Sequence, residues 1–216
     1  MPPRAARVPP MLLWAGILLI VVGLGCMRID RRAAHWFYDH IGAKLLKFLN
    51  RTTHLAKAAH WLTLSTVIYG VSWLYLTRVG SNALIHAARD HAGAYILGLG
   101  LGTLIAHTIK LGFGRRRPRD EMEMGLYGFK PFSFDTRYNS FPSGHSLTIF
   151  LVAVSASALM PWGAPLWFAV AIWLSLTRAM LTAHFLSDVA VGAGFGLISA
   201  HIIFTHVYPT LALGWF

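Results

Sequence analysis

Apolar residues gather in six stretches, approximately Met11–Met27, Ala59–Thr77, Ala92–His107, His145–Met160, Leu166–Ala183 and Val189–Val207. Each comes close to the roughly 20 residues that a helix needs to cross a bilayer. Trp14, Trp61, Trp73, Tyr75, Trp162 and Trp167 stand near several of the span ends, where an interfacial aromatic belt forms. The pattern predicts an all-α fold, a polytopic membrane protein built as a six-transmembrane-helix bundle. The first stretch has a second reading: Arg4 and Arg7 precede an apolar run ending in Gly23-Leu24-Gly25-Cys26, which has the outline of a signal peptide with a poor lipobox. Gly23 stands where a lipobox needs a large aliphatic residue, so a retained helix is expected.

Between the first two spans the pattern changes. Phe37, Ile41, Leu45 and Phe48 follow helical spacing, while Arg31, Arg32, Lys44, Lys47 and Arg51 are basic. That arrangement suits an amphipathic helix lying in the membrane interface, or an ordinary helix packed on the bundle. Two spans carry glycines four apart, Gly98 with Gly102 and Gly192 with Gly196, a spacing that lets helices approach closely in lipid. The run Gly98 to Gly102 lacks the strand and turn context of a nucleotide-binding loop, so packing is the expected role.

Composition sharpens this picture. Of 216 residues 56% are hydrophobic and only 12% charged, about half the charge of an ordinary soluble domain. No Ser/Pro-rich linker divides the chain, and residues 1–216 read as a single membrane domain. The net charge of +11 suits anionic headgroups or an anionic substrate. Nucleic acid, the usual partner of so basic a chain, is not expected, because the basic residues sit between apolar spans. Cys26 is the only cysteine, which excludes an internal disulfide.

The chemistry falls in three places. The loop after the third span opens with Lys110, Arg115, Arg116, Arg117, Pro118 and Arg119. Charges this dense cannot lie in hydrocarbon, and they form either an anion site or a juxtamembrane basic patch. The loop closes with Pro142-Ser143-Gly144-His145 directly before the fourth span. Pro and Ser are ordinary at a helix start, but a helix N-terminus is also a ready phosphate site, and capping does not account for His145. The third cluster holds Thr177, Arg178, His184 and Asp188. On a helix, His184 and Asp188 would share a face and hydrogen-bond. A carboxylate on one imidazole nitrogen fixes the tautomer and frees the other nitrogen to attack. Arg178 and His184 would diverge on one straight helix, so a break is expected between them.

Taken together the clusters resemble the phosphatidic acid phosphatase type 2 superfamily. Its pattern is Lys, six residues, Arg-Pro; then Pro-Ser-Gly-His; then Ser-Arg, five residues, His, three residues, Asp. Lys110, Arg117 and Pro118, then Pro142 to His145, then Arg178, His184 and Asp188 meet it in order and spacing, with Thr177 in place of the usual Ser. The resemblance implies that Lys110, Arg117 and Arg178 hold the phosphate, with hydrogen bonds from Ser143 and the backbone at Gly144. It implies that His184 attacks phosphorus to give a phosphohistidine, that Asp188 orients His184, and that His145 protonates the leaving oxygen and then activates water. It implies no metal and no cofactor, the cations taking that part. The remaining histidines, among them His35, His54, His86, His107, His201 and His206, fit no such spacing.

The implied substrate is a phosphorylated membrane lipid: undecaprenyl pyrophosphate, phosphatidylglycerol phosphate, phosphatidate or lipid A. Transfer to a second lipid in place of water is the alternative reaction, and a small transporter is the alternative outside enzymes. The aromatics Phe129, Phe132 and Phe134 either line a lipid entrance or pack within the loop. Six spans put all three motifs on one side, which carries 15 of the 19 Lys and Arg. Taken literally, the positive-inside rule places that side in the cytoplasm. The resemblance instead implies a bacterial inner-membrane protein whose active site faces the periplasm, and the catalytic loop must be basic on either side.

Overall fold

The computed structural model describes residues 10–211; Arg4 and Arg7 of the leader reading lie outside them. Every regular element among the described residues is helical: α1 (Met11–Cys26), α2 (Asp30–His40), α3 (Ala43–Thr53), α4 (Ala58–Arg78), α5 (Ala83–Phe113), α6 (Pro118–Met124), α7 (Gly144–Leu159), α8 (Ala164–Met180) and α9 (Leu186–His206). Each of the six apolar stretches is a helix. Three are long and apolar enough to cross a membrane: α5, α9, and α8 together with the turn before it. Helix α7 is apolar but spans only 16 residues.

Two expectations are corrected. The third stretch was expected over Ala92–His107, whereas α5 runs 31 residues from Ala83 to Phe113. The polar residues His86, Arg89 and Asp90 hide its first turns from a hydropathy reading. Asn82 starts the helix by accepting from the N–H groups of Leu84 at 2.9 Å and Ile85 at 3.3 Å, as an N-cap does. The basic amphipathic segment is two helices, not one. α2 turns 80° away from α1, and extended backbone at Ile41 and Gly42 separates it from α3.

Helices α7 and α9 form the centre. Leu147, Leu151 and Val154 meet Leu99 of α5 and Leu197 and Phe204 of α9 in the main core. The outer helices invert the soluble rule, with Val71 of α4 63% exposed and Leu166 of α8 59% exposed. An apolar belt of this extent needs lipid around it, and the protein is an integral membrane protein.

The spaced glycines are where α7 is gripped. A Cβ on Gly192 would stand 2.2 Å from the Ser143 carbonyl oxygen, and one on Gly196 would stand 2.6 Å from that of Leu147. On the opposite side a Cβ on Gly98 would meet Leu151 at 3.0 Å, and one on Gly102 would meet Ser199 at 2.9 Å. The first turn of α7 is thus pressed onto α9 at backbone contact, which places His145 beside the start of α9. Substituting Gly192→Ala should destabilise the solubilised protein by about 1–3 kcal/mol, the cost of overpacking a filled site. Gly100→Ala, whose added carbon meets nothing within 4 Å, should leave the thermal midpoint of detergent-purified protein unchanged or raised. Equal midpoints for the two variants would contradict this packing.

Candidate active site

Gly114, in the left-handed conformation at the end of α5 (φ 54°), turns the chain into the motif loop. Any Cβ there would stand 1.8 Å from the Lys130 carbonyl oxygen, so glycine is required. Around this turn the loop ties itself together through backbone bonds: Lys130 N–H to Gly114 O at 2.6 Å, Arg116 N–H to Gly128 O at 3.1 Å, and Ser140 N–H to Arg115 O at 2.9 Å. Both ends of the loop therefore meet at Arg115. Pro118 opens the short helix α6, as suits a first helical position, and Glu121 of α6 binds Arg31 of α2 at 2.5 Å.

The five loop cations divide into different duties. Arg115 is 1% exposed and holds two buried carboxylates, donating from Nη1 to Asp188 Oδ1 at 2.8 Å and from Nη2 to Asp30 Oδ2 at 2.9 Å. It also donates to Ser187 Oγ at 2.7 Å and lies on the Phe185 ring, 3.9 Å from its centroid. Burial acts to lower the pKa of Arg115, but Asp188 and Asp30 outweigh it and the pKa is raised. Arg116 pairs with Asp120 at 3.6 Å and covers the Tyr138 ring. Arg117 lies within electrostatic reach of His145 and Arg178, and Arg119 lines a cavity with Arg178.

Lys110, Arg117 and Arg178 share a feature that Arg115 lacks: among the described residues none of them has an ion-pair partner. Lys110 Nζ donates to the carbonyls of Asn139 at 2.8 Å and Pro142 at 2.6 Å. Arg117 donates to Asn139 Oδ1 at 3.2 Å, and Arg178 to Thr53 Oγ1 at 3.1 Å. Their charges oppose one another: Arg117 repels both Lys110 and Arg178, with Arg119 adding to the repulsion on Arg178. Burial first, then Arg119, lowers the pKa of Arg117. Clustered cations satisfied only by neutral oxygens form a site for an anion.

The break expected between Arg178 and His184 is the turn 181–185, in which the N–H groups of Ala183 and His184 both donate to the Arg178 carbonyl, at 3.0 and 3.1 Å. This corrects the shared-helix reading of His184 and Asp188. His184 precedes α9, and its Nδ1 stands 3.6 Å from Asp188 Oδ2, beyond hydrogen-bond reach. The Asp188 carboxylate is held by others: Ser140 Oγ donates to Oδ2 at 2.5 Å, and the Phe185 N–H donates to Oδ2 at 2.9 Å. His184 is 4% exposed. Its pKa is pushed down to about 4, chiefly by burial, Asp188 opposing and Lys110 and Arg178 assisting. The ring is neutral at pH 7.

His145 stands in the first turn of α7, within electrostatic reach of Arg178, His184 and Arg117. Ser143 caps that helix, its buried oxygen accepting from Ser146 N–H at 3.4 Å and Ser146 Oγ at 3.1 Å, and its own N–H donates to the Asp188 carbonyl at 2.9 Å. Gly144 follows as the first helical residue. The structure thus brings all eight anticipated residues to one end of the bundle.

It also adds Arg115, Asp30, Ser140 and Ser187, which the motif spacing does not single out. Ser187 donates from its backbone N–H to Asp30 Oδ1 at 3.0 Å and from its hydroxyl to Asp30 Oδ2. A signal for Asp30 did exist, as one of only eight acids in the chain and placed directly after an apolar span. A cavity of about 570 Å³ opens beside Arg178, lined also by Phe37, Tyr38, Asn50, Arg119 and Thr182, so the two basic helices form one wall of it.

The PAP2 superfamily model matches residues 91–211, more than half of the chain, and the chain belongs to this phosphatidic acid phosphatase type 2 superfamily. It is 34% identical over 139 residues to a lipid A 1-phosphatase of Rhizobium johnstonii, covering 60% of this chain and 57% of that protein. To a lipid A 1-phosphatase of Rhizobium etli it is 41% identical over 93 residues, covering 43% and 40%. The chain thus spans about half the length of the curated relatives it matches. Among solved structures it resembles a transmembrane PAP2-type phosphatidylglycerolphosphate phosphatase from Bacillus subtilis, with a TM-score of 0.64 and 18% identity over 90% of this chain and 94% of that one. It also resembles LpxE of Aquifex aeolicus, with a TM-score of 0.57 and 18% identity over 82% and 96%. At that identity the likeness is one of fold.

Replacing Arg115 by Leu should cost about 3–5 kcal/mol, because Asp30 and Asp188 are left buried and uncompensated. The thermal midpoint of detergent-purified protein should fall sharply, and fall less in Arg115→Leu/Asp30→Asn, which removes one of the stranded charges. A midpoint unchanged in Arg115→Leu would contradict the buried network.

Proposed function

We propose that this protein removes phosphate from a membrane lipid through a phosphohistidine formed on His184. The observation that carries this reading is the convergence of three cations without carboxylate partners on a buried, neutral histidine backed by Asp188. In the first step a ring nitrogen of His184 attacks phosphorus, and the bond from phosphorus to the lipid oxygen breaks. His145 gives its proton to the departing oxygen. In the second step His145 takes a proton from water, whose oxygen attacks phosphorus and breaks the P–N bond, releasing inorganic phosphate.

Lys110, Arg117 and Arg178 bind the phosphoryl oxygens and oppose the charge that grows on them in the transition state. The first-turn N–H groups of α7 at Gly144 and beyond add the positive end of a helix. Ser143 acts there chiefly by capping that turn, its hydroxyl being engaged with Ser146. Asp188 faces Nδ1 of His184 across 3.6 Å, where its carboxylate opposes the positive charge that the ring gains on attack, and it is itself fixed by Arg115.

The whole chain acts as one domain, with six helices crossing the bilayer of a bacterial inner membrane and the motif end facing the periplasm. The basic excess at that end, taken literally, favours the opposite orientation; the catalytic loop must be basic on either side, so the orientation follows the family resemblance. Relatives named as lipid A 1-phosphatases favour a phosphomonoester on a lipid headgroup as substrate. The 570 Å³ cavity beside Arg178 has the size to seat such a headgroup. Phe132 and Phe134, 78% and 89% exposed, stand at the loop surface where the lipid would enter, whereas the half-exposed Phe129 lies against Arg115.

Detergent-purified protein should release inorganic phosphate from at least one of lipid A, phosphatidylglycerol phosphate, phosphatidate and undecaprenyl pyrophosphate, and vanadate should inhibit. His184→Ala should abolish release, and His145→Ala should lower kcat by roughly 10²–10⁴-fold, the range for loss of a general acid. Release by His184→Ala at the native rate would sink the reading.

The pH profile supplies a second test. His184 is already neutral above about pH 4, so its protonation should not limit kcat/KM on the acid side until the pH falls well below 6.5. An acid limb near 6.5 that vanishes when His184 is replaced in a phosphate-binding assay would show that the ring titrates normally.

A further inference from the structure

A second cavity, of about 230 Å³, lies between α4, α5 and α7. It is remote from the reaction. Tyr95 on its wall precedes Lys110 by fifteen residues on the same helix, roughly 22 Å at 1.5 Å per residue, and Ser155 follows Gly144 by eleven residues, roughly 16 Å.

Its walls are apolar apart from Ser65 of α4 and one polar cluster. Tyr95 Oη, His91 Nδ1 and Ser155 Oγ are all buried there without a hydrogen-bond partner among the described residues, and Tyr95 is only 4% exposed. His91 and Tyr95 are four apart and share one face of α5, with Ser155 contributed by α7. Groups of this kind normally find partners when buried. Three that converge on one cavity point to a ligand that brings an acceptor or donor to them.

The mouth of the cavity shows where that ligand comes from. Leu64 and Leu159 line it while remaining 50% and 56% exposed, and the exposed face of α4 continues with Val67 and Val71. This surface belongs to the apolar belt, so the cavity opens onto hydrocarbon rather than water. Its depth suits the join between headgroup and chain. The Arg89–Asp90 ion pair, at 2.7 Å, marks the polar boundary at this end of α5, and Tyr95 lies five residues inside it, roughly 8 Å. The volume is below the ~300 Å³ at which whole-ligand pockets begin, so it admits the linkage and the upper methylenes of one chain, not a headgroup.

We propose that this cavity is a lipid-binding site, separate from the reaction site, that takes the upper part of one acyl chain of a bilayer glycerophospholipid, with the ester carbonyl accepting a hydrogen bond from Tyr95 Oη. His91 and Ser155 flank that carbonyl, and Leu64, Ile68 and Leu159 enclose the chain.

The test uses full-length protein reconstituted in vesicles of phosphatidylethanolamine and phosphatidylglycerol, a fraction of the phosphatidylethanolamine carrying a diazirine on its acyl chain. After irradiation, peptide mass spectrometry should find label on the buried residues Ala92 and Tyr95 as well as on exposed Val71. Ser155→Phe fills the cavity and should remove the label from Ala92 and Tyr95 while Val71 stays labelled. Tyr95→Phe, which keeps the volume and deletes only the hydroxyl, should lower the label on Ala92 and serves if Ser155→Phe does not fold. Absence of label from Ala92 and Tyr95 in the unaltered protein would mean that the cavity holds water or nothing. That result overturns the proposal, as does labelling that neither variant changes.

Discussion

A guanidinium buried between two carboxylates is an expensive thing to place in a protein, and Arg115 sits between Asp30 and Asp188 with all three at most 1% exposed. Moving these charges out of water is repaid only if every donor and acceptor is well used, and here almost all are. Asp30 receives Arg115, the Ser187 hydroxyl and the Ser187 N–H. Asp188 receives Arg115, the Ser140 hydroxyl and the Phe185 N–H. The network joins the elbow after α1, the loop between α5 and α7, and the start of α9. Those three parts adjoin Arg117, Ser143 and the turn that carries His184. Removing Arg115 therefore disturbs geometry at His184 without touching the substrate.

The same accounting separates frame from function among the cations. Arg115 and Arg116 pair with acids, whereas Lys110, Arg117 and Arg178 hydrogen-bond only to neutral oxygens among the described residues, and Arg117 repels the other two, Asp188 and Asp120 offsetting part of this without pairing. Holding such charges together is unfavourable in the free protein. The cations are held in place by other groups, Lys110 by the carbonyls of Asn139 and Pro142, Arg117 by Asn139 and Arg178 by Thr53, and under the proposed reaction a bound phosphoryl group relieves their repulsion. This is the preorganisation that transition-state stabilisation requires. In an integral membrane protein the effect is strengthened, because low-dielectric helices surround the site.

Much of this was legible in the residues themselves. The apolar runs located six of the helices, because lipid leaves few other ways to satisfy a backbone. The motif spacings located the eight anticipated residues at one end. What escaped was set by contacts across the chain. The Arg115–Asp30 bond joins positions 85 apart, and nothing in local periodicity distinguishes Arg115 from Arg116 or Arg117. The i to i+4 spacing of His184 and Asp188 suggested one helix, but the backbone is extended at Phe185, where α9 begins, and this leaves His184 outside the helix. The polar start of α5 was hidden for the opposite reason: its helix is fixed by the Asn82 cap, and hydropathy does not register a cap.

The central claim is that phosphorus is carried on His184. It is tested most directly by mixing the purified protein with a ³²P-labelled lipid phosphate, quenching in base, which preserves phosphohistidine, and mapping the label by peptide mass spectrometry. The account predicts label on the peptide containing His184, lost on acid treatment and absent from His184→Ala. Turnover with no label on protein under any quench time, or label on a residue other than His184, would contradict it.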